Sequence, residues 1–234
     1  MIKHFVVSDI HGHYNLLQTA LDSAGFDMEN PEHILICCGD YFDRGDENLE
    51  VLRFFERLKH KVLLRGNHED LLLSLFKTGK LQAHNYINGS LQTIKDFFGK
   101  YVIAPLDDTI DFSGKTRMLN RVCEFIEGTV NYYETKDYVF VHGWLPEGAD
   151  TAEKRSSATD AEWEKARCTK WTQKYKGERP LADKTLVCGH MPTFFANRID
   201  NTRSEKCSDI FYGNGLIAID AGTYDSKRVN VFVF

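Results

Sequence analysis

Five short blocks of this chain set side chains that hold metal ions or move protons beside glycine. They are Asp9-Ile10-His11-Gly12, Gly39-Asp40-Tyr41-Phe42-Asp43-Arg44-Gly45, Gly66-Asn67-His68-Glu69, His142-Gly143 and Gly189-His190. Asp9, His11, Asp40, Asn67, His142 and His190 together offer two carboxylates, three imidazoles and an amide oxygen. Such a mixed oxygen and nitrogen set suits first-row divalent ions such as manganese, iron or zinc. It holds no thiolate, which argues against a structural zinc site. Six ligands are too many for one tetrahedral ion and suit two ions that share a carboxylate. Two ions roughly 3.5–4 Å apart can clamp an in-line displacement at phosphorus and ionise a bridging water. The chemistry implied is hydrolysis of a phosphoester. A lone Asp-x-His turn is ordinarily a capped, solvated turn. The signal comes from five blocks in order, with glycines that let the backbone turn sharply beside the ligands.

For these side chains to meet, the elements before them must end at one place. Residues 2–8 read as a strand and 13–24 as a helix with Leu16, Leu17, Ala20 and Leu21 on one face. The apolar run 33–38, bounded by Pro31 and Gly39, suits a fully buried strand. A helix over 46–58 turns Leu49, Leu52, Phe54 and Phe55 inward, and a strand at 61–65 precedes a helix at 68–77. This alternation predicts a parallel sheet with right-handed crossovers. From 78 to 134, Gly79, Gly89, Gly99 and Gly114 interrupt helical stretches such as 90–98 and 116–126, and strand signal is weak. We read this stretch as a helical cap inserted into a single domain that spans 1–234. Residues 137–141 return to strand, 147–160 are polar, a helix covers about 160–175, and 184–188 is again a strand. The segments 216–220 and 228–233 read as an antiparallel pair around a turn at Gly222. Five of these strands end at the five blocks. Ligands of open α/β sheets bind at the carboxyl ends of strands, so the six residues should converge.

Composition sets the context. The 234 residues carry a formal net charge of −5, which argues against non-specific binding to nucleic acid or a membrane surface. The apolar start Phe5-Val6-Val7 is far too short for a signal-peptide core or a membrane span. Six cysteines without a CxxC pair read as reduced thiols of a cytoplasmic protein. His4, His13, His33, His60 and His84 fall outside the blocks and read as ordinary residues. Phe54, Phe55, Phe97 and Phe98 read as core, Asp107, Asp108 and Asp111 as a solvated turn, and Asp220 as a turn cap.

The blocks DxHG, GDxxDRG, GNHE, HG and GH resemble those of the phosphoprotein-phosphatase branch of the calcineurin-like metallophosphoesterases. That branch includes bacterial serine/threonine protein phosphatases and symmetrical diadenosine tetraphosphate hydrolases. The resemblance spans residues 9 to 190 and implies an α/β fold: a β-sandwich flanked by helices, with a helical cap. It implies two divalent ions, manganese foremost, with iron or zinc as alternatives. Asp9 and His11 would bind the first, Asp40 would bridge, and Asn67, His142 and His190 would bind the second. It further implies His68 as general acid oriented by Asp43, with Arg44 and Asn67 on the phosphoryl group. A second phosphate-binding arginine would lie between the last two histidines. Of Arg155, Arg167 and Arg179, Arg167 is preferred, because Trp163-Glu164-Lys165-Ala166-Arg167 resembles the family's W-x-x-x-R stretch. Trp144 departs from the pattern, as does Asp220-Ala221-Gly222-Thr223-Tyr224 in place of Ser-Ala-Pro-Asn-Tyr-Cys. The activity expected is that of a serine/threonine protein phosphatase. Hydrolysis of a dinucleoside polyphosphate or another small phosphoester is the alternative, and a non-catalytic scaffold is a third, disfavoured because every ligand is present.

Overall fold

The computed structural model describes residues 2–99, 103–104, 108–201 and 203–234, with the backbone alone at Ile103 and Ala104. Asp107 of the acidic turn, and parts of the 78–134 stretch, lie outside the described residues. The first half runs β1 (Lys3–Val7), α1 (Tyr14–Ala24), β2 (His33–Cys37), α2 (Asn48–Arg57), β3 (Lys61–Leu63) and α3 (Asn67–Thr78). Next come α4 (Ala83–Asn88), α5 (Ser90–Phe98), β4 (Ile103–Ala104), β5 (Thr109–Ile110) and α6 (Thr116–Glu127). The second half holds β6 (Tyr133–Glu134), β7 (Tyr138–Phe140), α7 (Ala152–Ser157), α8 (Asp160–Arg167), α9 (Trp171–Lys174) and β8 (Thr185–Cys188). A 3-10 helix (Thr193–Arg198) leads to β9 (Phe211–Gly213), β10 (Leu216–Ala218), α10 (Thr223–Ser226) and β11 (Phe232–Val233).

Two sheets face each other, one ordered β11-β1-β2-β3 and the other β6-β7-β8-β10-β9. Strands β1, β2 and β3 are parallel neighbours, as are β7, β8 and β10. Side chains alternate across each strand, so one strand serves two cores. Phe5, Val7, Leu35 and Cys37 pack against the helices outside the first sheet. Val6 and Ile36 point the other way and meet Phe140, Val187 and Ile217 of the second sheet. The outer face of that sheet, with Val139, Leu186, Cys188 and Leu216, is covered by Trp163, Trp171 and Tyr175. Burial on both faces explains why these strands read as unbroken apolar runs. The result is an α/β sandwich flanked by helices. Leu81, Ile94, Phe97, Phe98, Val122 and Ile126 of the middle segment join the same core as α1 and α2.

The end of the chain differs from the sequence expectation. Segments 216–220 and 228–233 do not pair with each other. β10 lies between β8 and β9, whereas β11 pairs antiparallel with β1, Phe5 opposite Val233 and Val6 opposite Phe232. Gly222 opens α10 instead of a hairpin, and the chain crosses from one sheet to the other. Each segment joins a different sheet, a choice that local periodicity does not encode. The helix expected over 160–175 is broken at Cys168–Lys170 into α8 and α9, and the polar stretch before it contains α7.

Candidate metal centre

The carboxyl ends of β1, β2 and β3 meet those of β7 and β8 at one edge of the sandwich. The loops after β1 and β2 continue to pair beyond the strands: His11 N–H donates to Asp40 O at 3.1 Å and Gly12 N–H to Tyr41 O at 2.8 Å. This zip brings Asp9, His11 and Asp40 together, all three almost fully buried. Backbone strain falls on these residues. Asp9, His11, Asp40, Asp43, Arg44 and His190 all have φ between 49° and 73°, in the left-handed region that side chains with a Cβ disfavour. The neighbouring glycines serve close approach. A Cβ on Gly66 would lie 2.1 Å from Asp40 Oδ1, and one on Gly189 would lie 2.3 Å from Asp9 Oδ2.

Asp40 is the hub. Its Oδ2 lies 3.7 Å from His11 Nε2 and 3.9 Å from His68 Nε2, while its Oδ1 lies 3.4 Å from His142 Nε2. Among the described residues two groups of donor atoms are compact enough to hold an ion, His11–Asp40–His68 and Asp40–His142–His190, and both include Asp40. Asn67 Oδ1 lies 3.0 Å from His142 Nε2, adding the amide to the second group. Asp9 accepts from His190 N–H at 2.9 Å through Oδ2, and from the Ser8 hydroxyl. The second sheet is bound to the first here: His142 Nδ1–H donates to Cys38 O at 2.7 Å, which leaves Nε2 to face the centre. His11 Nδ1 likewise bonds Phe42 O at 3.0 Å. Buried carboxylate, amide and imidazole donor atoms converging on one carboxylate fit divalent ions.

The buried acids and imidazoles shift one another: burial opposes the His142 charge, yet Asp40 and Asp9 raise that ring to about 10. Burial, with the nearby Asp40 charge, pushes the Asp9 carboxyl up to about 6. Burial would also raise Asp40, but His142, His68 and His11 together hold it well below the usual carboxylate range. Burial and the charged neighbours Arg44 and His68 drive His11 well below the usual imidazole value, and burial, with His142 beside it, lowers His190 to about 4. His68 goes the opposite way. Burial opposes its charge, yet Asp40 and Asp43 raise its pKa.

That rise has a geometric source. His68 Nδ1 lies 2.7 Å from Asp43 Oδ2, and Asp43, fully buried, also accepts from Ser90 Oγ at 3.1 Å and Thr93 Oγ1 at 2.8 Å. The Asp43 carboxylate is thus fixed from α5, and the ring it holds stands at the N-terminus of α3. Arg44, next in sequence, is exposed and forms no ion pair among the described residues. The three arginines weighed for the second phosphate contact are engaged. Arg167 donates to Asp70 Oδ2 and Asn131 Oδ1 at 2.6 Å each, Arg155 to Glu134 at 2.7 Å, and Arg179 to the Leu181 and Lys184 carbonyls. Asp220 caps its own turn through Gly222 N–H at 2.7 Å.

Glu69 was not singled out by the sequence reading. It is fully buried, and its two oxygens accept from the backbone N–H groups of Asp40, Gly66 and Tyr41 at 2.9, 2.9 and 3.0 Å. Its position one residue after His68, in a first helical turn, was the available signal. Of the histidines outside the blocks, His4 stacks on Phe234 and His33 accepts from Asp27 N–H. Cys37, Cys38 and Cys188 are buried free thiols.

The sequence profile of the family described as Calcineurin-like phosphoesterase matches residues 2–221. The chain is 37% identical over 76 residues to the symmetrical bis(5'-nucleosyl)-tetraphosphatase of Wigglesworthia glossinidia brevipalpis, covering 32% of this chain and 27% of that protein. It is 32% identical over 142 residues to serine/threonine-protein phosphatase 2 of Escherichia coli, covering 58% of this chain and 61% of that protein. The matches therefore span less than two thirds of either relative. In fold the chain is similar to a protein serine/threonine phosphatase from Saccharomyces cerevisiae, with TM-score 0.56, 15% identity, and coverage of 100% of this chain and 79% of the other. It is also similar to a cold-active protein tyrosine phosphatase, with TM-score 0.54, 17% identity, and coverage of 100% and 73%.

Proposed function

Since the chain belongs to the calcineurin-like phosphoesterase family, we propose that it hydrolyses phosphoesters at a dinuclear metal centre and acts on phosphoserine or phosphothreonine in proteins. The observation that carries the reading is Asp40, shared by two groups of metal-competent side chains with the His68–Asp43 pair at their edge. Asp9 and His11 would hold one ion, Asn67, His142 and His190 the other, and Asp40 both. Bound there, two divalent ions, manganese foremost, would draw charge from the phosphoryl oxygens and acidify an attacking water. His68 lies within reach of the same space. We assign it the proton rather than an ion because Asp43 accepts from Nδ1 and favours the charged ring, leaving Nε2–H to protonate the departing alkoxide. Arg44 would grip the phosphoryl oxygens with its free guanidinium. Arg167 would act beside it only by sharing its fork with Asp70.

Protein as substrate is supported by the longer of the two curated matches, which is to a protein phosphatase. A dinucleotide is the second reading, because Trp144, two residues after His142, lines a cavity of about 380 Å³ together with Lys165 and Lys174. No helix among the described residues is long and apolar enough to cross a membrane, and all six cysteines are free thiols, in keeping with a cytoplasmic place. The test compares metal-stripped protein with protein reloaded with manganese, iron or zinc, on a phosphoserine peptide, diadenosine tetraphosphate and an aryl phosphate. We expect turnover of the phosphopeptide and aryl phosphate with manganese, and none without metal. Full activity in protein that elemental analysis finds metal-free would overturn the mechanism. Turnover confined to the dinucleotide would replace the substrate.

A further inference from the structure

We propose that Arg167 is a positioning residue that aligns the three ligands of the second ion, rather than the second phosphate contact that the family resemblance implies. The inference rests on the dinuclear reading above. An arginine that grips a phosphoryl group must present its fork to the substrate, as the exposed Arg44 can. Arg167, the last residue of α8, is only 4% exposed. Its guanidinium is already engaged twice, through Nε with Asp70 Oδ2 and through Nη1 with Asn131 Oδ1.

The elements that it joins carry the argument. Asn67 follows a strand of one sheet, whereas His142 and His190 follow strands of the other. The stretch 166–169, where α8 ends, is tied to all three. Gly143, next to His142, packs on it so closely that a Cβ there would lie 2.4 Å from Arg167 O, and Trp144 N–H donates to Ala166 O at 3.1 Å. The His190 ring is hydrogen-bonded to the backbone of Cys168. The third tie is the Arg167 side chain. It reaches Asp70, which stands three residues after Asn67 and so on the same face of α3.

Both partners of Arg167 are themselves anchored. Asp70 Oδ1 lies 3.8 Å from Arg65 Nη1, and Arg65 donates to Thr129 Oγ1 at 3.0 Å and to Ile126 O at 2.9 Å. Asn131 also donates to Asp160 Oδ1 at 3.3 Å, so it ties the first residue of α8 as well as the last. Short charge-assisted hydrogen bonds of this kind fix geometry as well as energy. Without the fork, α3 is released from α8, and Asn67 loses its alignment with His142 and His190. Displacing a group that orients metal ligands weakens metal affinity about 10–100-fold.

The experiment titrates manganese into the stripped full chain by calorimetry and follows the ions by electron paramagnetic resonance, in which two ions on a shared carboxylate couple. The wild type should take up two ions per chain. Arg167→Gln should weaken one of the two sites about 10–100-fold and show a single-ion spectrum at metal concentrations that fill both wild-type sites. Inhibition by inorganic phosphate should be unchanged once manganese saturates the variant. Arg167→Lys, which keeps the charge and loses the fork, should recover only part of the affinity. Asp70→Asn should weaken the same site, its effect should not add to that of Arg167→Gln, and it carries the test if Arg167→Gln does not fold. Arg155→Gln, which breaks a buried pair with Glu134 in the same half of the molecule, should lower Tm and spare both sites. Wild-type affinity at both sites in folded Arg167→Gln or Asp70→Asn, or an equal loss in Arg155→Gln, overturns the positioning role. A weaker grip on inorganic phosphate with both ions bound returns Arg167 to the substrate. Fewer than two manganese ions per wild-type chain removes the dinuclear reading itself.

Discussion

At the residue scale the sequence marked side chains that the structure brings together, and concealed how they are held. Six of the eight non-glycine residues with positive φ among those described are site residues: Asp9, His11, Asp40, Asp43, Arg44 and His190. Gly12 and Gly39 make left-handed turns as expected, but most of the turns in the blocks are made by the ligand-type residues themselves, at a cost on the order of 1 kcal/mol each. Residue type and spacing do not report φ, so that part was illegible. His68, the proposed proton donor, is the residue whose role is most open to test. His68→Asn should cut kcat by about 10²–10⁴-fold with metal content unchanged, and more on a phosphoserine peptide than on an aryl phosphate, whose leaving group needs no proton. Equal losses on both would remove His68 from the acid role. Its pH behaviour follows from the sign of the shift. Asp40 and Asp43 raise the His68 pKa against the effect of burial, so the ring keeps its charge to higher pH than a free imidazole and activity should fall as pH rises through the raised value. Asp43→Asn withdraws one of the two carboxylates and should move that alkaline limb of kcat towards lower pH. A limb that stays in place or moves upward would show that Asp43 does not tune the acid.

At the scale of elements, the convergence of strand ends was legible because each ligand block directly follows an apolar run. The partner of each strand was not. β10 and β11 carry similar apolar segments, and tertiary packing alone sends one to β8 and the other to β1. The support beneath the ligands was equally hidden, since it lies in one side chain of α3. Glu69 gathers three backbone N–H groups from the loops after β2 and β3, and so sets the angle at which Asp40 enters the centre. Burial and the Asp40 charge raise the Glu69 carboxyl to about 7. Glu69→Gln keeps the volume but turns an amide N–H₂ towards at least one N–H donor. A buried donor without an acceptor costs about 1–3 kcal/mol. Displacing a supporting group of this kind weakens metal affinity about 10–100-fold. Calorimetric titration of manganese into the stripped variant should show that loss. Wild-type affinity in a folded Glu69→Gln protein would mean that the loop holds its shape without the carboxylate.

At the scale of the whole molecule, the centre lies across the junction between two sheets. Asp9, His11, Asp40, Asn67 and His68 follow strands of one, and His142 and His190 follow strands of the other. The direct ties across this edge are polar: His142 Nδ1–H to Cys38 O at 2.7 Å, His190 N–H to Asp9 at 2.9 Å, and the Asp40–His142 pair at 3.4 Å. Deeper in, Val6 and Ile36 meet Phe140, Val187 and Ile217, so the sheets are joined by apolar contact in the middle and by polar contact at the edge where the candidate ligands gather. An ion held by Asp40 from one sheet and by His142 and His190 from the other would clamp the sandwich at that edge. Binding to the folded state alone stabilises it by about 2.7 kcal/mol when free metal is a hundredfold above Kd. For a chain of this size each kcal/mol moves Tm by about 2–4 °C, so adding manganese to stripped protein should raise Tm by about 5–10 °C. Asp40→Asn should fold yet lose most of that increment, because a neutral amide is a poor bridge between two cations. A mutation in the middle of the sandwich, such as Ile36→Ala, should lower both Tm values together and leave the metal-dependent difference intact. If Asp40→Asn keeps the full increment, the ions do not join the two sheets through this residue, and the shared carboxylate has been placed at the wrong position.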